Sequence, residues 1–235
     1  MDTRTRHALK KDKFALAAAS SASWVSVHRS SVVRWSIVIA AVLVLLLGAW
    51  IYWDVQSAAA NTALGAAMDV YTAPLATPGV PAGAGVYSTA ADRAKDANLR
   101  FLAVARKYGW LSAGAKARYF AGVTYEELGQ SSAAETELKT AANSSSRNLS
   151  NLAKLALANL YRQTGRDSQA IALYNQLIAH PSVTVSASVA QLDLADLYSA
   201  EGKRDQARAL WAKVEDADKQ GAAGSIAAQK LGPKQ

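Results

Sequence analysis

The chain has 235 residues, no cysteine and a formal net charge of +8, with a pI near 9.7. The lack of cysteine excludes disulfides. The charge does not mark a nucleic-acid binder, because the first 34 residues hold seven Lys and Arg against two Asp, while the remainder is nearly balanced at nineteen against sixteen.

Residues 1–34 read as a basic segment, with Arg4, Arg6, Lys10, Lys11, Lys13, Arg29 and Arg34 against Asp2 and Asp12. Within it, Phe14, Ala17, Ala18, Ser21, Trp24, Val25, His28 and Val32 fall on a helical stripe. Two readings of 14–33 stay open, a helix lying on an inner leaflet and a loosely ordered tail.

Residues 35–53 carry no charged side chain. At the helical rise they reach about 28 Å, the thickness of a bilayer core. Trp35 stands at one end and Trp50, Tyr52 and Trp53 at the other, where amphipathic rings favour the membrane interface. A single transmembrane helix is expected. No Lys or Arg follows it until Arg93, so the basic flank is expected in the cytoplasm and the rest of the chain across the membrane. In a bacterium that compartment is the periplasm and the membrane is the inner one. A cleaved signal peptide is the competing reading, with Ala58-Ala59-Ala60 as its small-residue site. The 19-residue apolar run and 34-residue head exceed signal-peptide dimensions and favour a retained signal-anchor. No cysteine follows the span, so a lipoprotein is not expected.

Residues 57–108 read as a degenerate first helix pair. Ser57 to Tyr71 is Ala-rich, with Leu64, Gly65 and Met68 at first-helix contact positions. A Pro/Gly-rich loop at 73–87 breaks the helix. From Ala91 the helical pattern resumes, and Ala97, Phe101 and Val104 match the second helices of later units.

Residues 109–231 repeat with a period of 36 or 37 residues. Tyr125, Gly129, Ala134 and Leu138 recur as Tyr161, Gly165, Ala170 and Tyr174, then as Tyr198, Gly202, Ala207 and Trp211. The pairs before each tyrosine recur too: Ala121-Gly122, Leu157-Ala158, Leu194-Ala195. Glycine suits a helix end in left-handed geometry. A small residue suits a close helix crossing, and a bulky one fills the space beside it. The units run 115–150, 151–187 and 188–215, and 216–231 is expected to cap the stack, with Ile226, Ala227 and Leu231 facing in.

On these residues the chain resembles the tetratricopeptide repeat (TPR) family. The family's early tryptophan is replaced by Arg118, Lys154 and Gln191. The small residue late in the second helix survives as Ala141 and becomes Leu177 and Val214, and Pro181 falls one position early. The expected fold is all-α: one N-terminal transmembrane helix, then an α-solenoid of about three and a half TPR-like helix pairs with a C-terminal capping helix. First helices of such a stack line its concave face. By register that face carries Lys116, Tyr119, Val123 and Glu126, then Leu152, Leu155, Asn159 and Arg162, then Val189, Leu192 and Asp196. Some family members clamp a peptide carboxylate with Lys and Asn there. Here Asn159 alone matches, so a carboxylate clamp is not expected, and a mixed apolar and polar groove suits an extended segment or a helix. Leu152, Leu155 and Leu192 have a second reading as packing between repeats.

Chemistry is not expected. His7, His28 and His180 have no metal-ligand spacing, and no Gly-rich phosphate loop is present. Asp193 and Asp196 lie on one helix face but lack a nucleophile or metal partner. No cofactor, metal, nucleic acid or small-molecule substrate is expected.

The layout of basic tail, one span ending in Trp50-Ile51-Tyr52-Trp53, Ala-rich helix and divergent repeats is similar to the membrane-anchored ancillary subunits of the bacterial Sec translocon. That resemblance implies a non-catalytic, chaperone-like adaptor in the inner membrane. Its partners would be translocon subunits, a periplasmic folding factor or unfolded client chains. The 73–87 insertion departs from that layout. A scaffold for cell-envelope assembly or division is the alternative, and an enzyme sited in 73–87 a third reading that would need a nucleophile or metal set.

Overall fold

The computed structural model describes residues 29–77, 83 and 85–232. Among these the regular elements are all helices: α1 (Arg29–Tyr71), α2 (Ala90–Lys107), α3 (Ser112–Glu127), α4 (Ser131–Ala142), α5 (Arg147–Gln163), α6 (Asp167–Ala179), α7 (Ala187–Ala200), α8 (Arg204–Ala217) and α9 (Ala222–Leu231). The expected all-α class is what the chain adopts. The interfacial stripe of 14–33 lies mostly outside the described residues. The chain divides into two compact units, residues 1–55 and 56–235.

The described part of the first unit is the N-terminal portion of α1. From Trp35 to Trp53 its large apolar side chains are exposed on every side, and the helix is long and apolar enough to cross a membrane.

The second unit is a stack. From α2 to α9 each helix packs on the next in sequence, and α3 also meets α5 while α7 meets α9. The packing repeats with the sequence period. Ala117, Ala153, Ala190 and Ala227 are each fully buried, on α3, α5, α7 and α9. Ala97, Ala134, Ala170 and Ala207 are likewise fully buried, on α2, α4, α6 and α8. Four residues further along those second helices, Phe101, Leu138, Tyr174 and Trp211 fill the space beside them. Small side chains at each crossing let the backbones approach, and one large side chain per unit seals the gap.

The two rows identify the end elements. α2 is a second helix, and its first helix is the last part of α1, where Ala60 and Ala67 are fully buried against Ala97 and Phe101. α9, with Ala227 in the first row, is a first helix by register. It ends at Gly232, which takes a positive φ of 75°. Alanine or leucine in α3, α5 and α7 is sealed by a following helix at the position that Leu231 holds half-buried in α9. The last helix, expected over 216–231, begins at Ala222, because the preceding helix runs on to Ala217. Ile226 was expected to face inward and is 46% exposed. Its register equals that of Val189, which is 38% exposed, and of Leu152.

The turns follow from backbone chemistry. Gly129, Gly165 and Gly202 take φ of 70°, 70° and 78°, the left-handed geometry that lets a first helix end tightly. Thr89 accepts a hydrogen bond from Asp92 N (3.0 Å) at the start of α2, and Ser186 one from Val189 N (3.3 Å) at α7. The 73–87 insertion folds back through bridges between Leu75 and Tyr87 and between Gly83 and Val86. Tyr87 donates to Asp96, and Arg93 donates to the Ala73 carbonyl (3.1 Å), which ties this loop to α2.

Candidate protein-interaction face

The residues expected on the concave face all lie on first helices. α3 places Lys116 in solvent and leaves Tyr119, Val123 and Glu126 half-buried. Tyr119 packs edge-on against Phe120, with centroids 5.2 Å apart. Burial first, and Glu126 second, push its phenol pKa up.

α5 carries the middle of the face. Leu152 and Leu155 are half-buried and pack on Leu177, Val185 and Ala190, while Leu155 also joins the cluster around Leu157 and Tyr174. These two leucines serve the inter-repeat core. Leu192 does the same beside Ala195 and Trp211. Asn159 accepts a hydrogen bond from the fully buried Tyr174 (2.6 Å). Its amide group orients that phenol rather than standing free, and burial holds the Tyr174 pKa far above its usual range.

The structure brings some of these residues together across units. Gln163 donates to Glu126 (2.8 Å), linking α5 to α3. Arg162 is exposed on α5 and opposes the shift at Asp193 on α7. Burial is the largest influence on Asp193 and raises its pKa; Asp196 adds to that. Lys230 of α9 donates to both oxygens of Asp196, 3.1 Å each. Val189 is 38% exposed and Ile226 46%. Lys116 makes no such cross-unit pair among the described residues.

Sequence reading missed Ile226, Gln163 and Lys230 as parts of this face, and Tyr174 as the buried group that engages Asn159. The signal for Ile226 was present, since it lies 37 residues after Val189. The others join through side-chain reach, which periodicity does not encode. Arrayed polar and apolar side chains on successive first helices can receive an extended or helical segment. Compared with known proteins, the chain matches no family model, no curated protein and no solved structure.

Proposed function

We propose that this chain is a non-catalytic, membrane-anchored scaffold of TPR type that assists secreted or membrane proteins at the Sec translocon as a chaperone-like adaptor. The observation that carries the reading is α1. It holds, in the first unit, an apolar stretch exposed all round and, in the second unit from residue 57, the first helix of a packed repeat stack. An anchor joined to a repeat stack keeps a protein-binding face at a membrane. The positive charge before the span supports a cytoplasmic N-terminus and a periplasmic stack. Polar groups of the face that are tied up within the chain, at Glu126 and Asn159, favour a partner recognised along an extended surface rather than by a terminal carboxylate clamp.

Photo-crosslinking from Lys116 and Arg162, both exposed, tests this in the native membrane. Translocon subunits, a periplasmic folding factor or nascent secreted chains on the probe are expected. Recovery of envelope-assembly enzymes alone would overturn the translocon assignment and leave an envelope scaffold in its place.

A further inference from the structure

Lys230 is the one cation that α9 lays on the first-helix face. Its ammonium donates to both carboxylate oxygens of Asp196 and lies 6.0 Å from the centroid of the Trp211 ring. Trp211 is 8% exposed, held by Ala195, Ala207, Val214 and Ala227. A carboxylate from α7 and an indole from α8 thus flank a single alkylammonium, the pairing that suits lysine recognition. The pair is loosely held. The Lys230 side chain is 45% exposed and Asp196 36%, and exposed pairs of this kind exchange easily. Beside it, Asp193 is half-buried on the same helix face; among the described residues no hydrogen bond or ion pair reaches it, and Arg162 of α5 is the cation that acts on it. Val189, 38% exposed, supplies apolar surface along the same helix.

We propose that the Asp196–Trp211 seat receives a lysine of the bound segment, and that Lys230 is its internal placeholder, displaced when a partner binds. This rests on the scaffold reading above and names the partner's chemistry: an extended segment with a lysine flanked by apolar residues. Charge complementarity selects it. α7 offers two carboxylates to this part of the face and the chain itself fills one with lysine. An acidic segment would meet the freed Asp196 unfavourably, whereas Arg162 already offsets Asp193. Loss of the Lys230 contact leaves α9 held by Ala227 and by its N-terminal cap, so binding loosens only its last turn.

The test uses the full chain in detergent and two fluorescein-labelled peptides of 12 residues or so, built from leucine and serine, with a single central lysine or glutamate. Lys230→Gln frees Asp196 without removing a buried group. It should bind the lysine peptide about two- to five-fold tighter than the native chain, the size of one exposed ion pair. The gain should vanish in the Lys230→Gln, Asp196→Asn double variant and be absent for the glutamate peptide. In the native chain, saturating lysine peptide should speed amide exchange in the last turn of α9. Equal binding by the native chain and Lys230→Gln, a gain that survives Asp196→Asn, or no binding of the lysine peptide to any variant would overturn the seat. Translocon crosslinks from Arg162 alongside such a result would leave the scaffold reading standing.

Discussion

An added Cβ at Gly122 would lie 2.6 Å from Leu138 Cγ and 2.8 Å from its Cδ2. Leu138 is fully buried and has no free direction in which to turn. Helix propensity favours Gly122→Ala by about 0.5–1 kcal/mol, whereas overpacking costs about 1–3 kcal/mol, so the clash wins. Chemical denaturation of Gly122→Ala should show a net loss of about 1–2 kcal/mol. Charge acts at the same scale in Glu135. Its carboxylate takes hydrogen bonds from Lys139, Arg166 (2.7 Å) and Tyr161 (3.1 Å), joining α4 to the end of α5. These partners, Lys139 foremost, outweigh burial and lower its pKa from 4.5 to about 2. A depressed carboxylate pKa stabilises the fold fully above pH 4.5, and the contribution is lost as pH falls through about 2. Glu135→Gln should therefore lower stability at pH 7 by about 1 kcal/mol and flatten the acid-side loss, read from urea midpoints at pH 7, 4.5 and 2.5. A variant that kept the native slope would assign that loss to other carboxylates.

At the scale of elements, the repeat was legible wherever burial depends on residue size. Ala134, Ala170 and Ala207, with the bulky residue four positions on, marked each second helix, and the three left-handed glycines marked each turn. What stayed hidden depends on reach between elements. Asn98 looks like an ordinary polar residue in α2, yet it is buried and donates to the Ala121 carbonyl (3.0 Å) and to Thr124 (2.9 Å) on α3. Asn151 likewise donates to the His180 carbonyl (2.8 Å) and fixes the turn after α6. The candidate face was legible as a register of positions, but not in which side chains remain available, because Asn159 and Asp196 are engaged by Tyr174 and Lys230 from other helices. α9 shows the same limit. Asp218 lies before it and accepts from Ala223 N (3.1 Å) and Gly224 N (3.2 Å), serving as its cap from outside the helix. Asp218→Ala removes acceptors from two helix-start amides and should cost about 1 kcal/mol. The loss should appear as faster amide exchange in α9 with α3 to α6 unchanged, since each helix of the stack leans mainly on its neighbours. A uniform rise across the stack would mean that α9 unfolds only with the whole.

For the whole molecule, the decisive quantity is the asymmetry of charge around the apolar part of α1. Seven basic residues precede it and none follows until Arg93, in a chain whose remaining charge is almost balanced. Moving the basic flank across a bilayer is the costlier alternative, so the stack is expected on the far side. The lack of native cysteine makes this testable with single substitutions and no background labelling. Ser132, exposed at the start of α4, reports the stack, and Ser20 reports the basic segment. In cells with a permeabilised outer membrane, Ser132→Cys should react with an impermeant maleimide. Ser20→Cys should react only after the inner membrane is opened. Reversed labelling would place the stack in the cytoplasm and remove it from the path of secreted chains. Recovery of the labelled stack in the soluble fraction, shortened at its N-terminus, would instead show cleavage after the apolar stretch, and the face would then act free of the membrane.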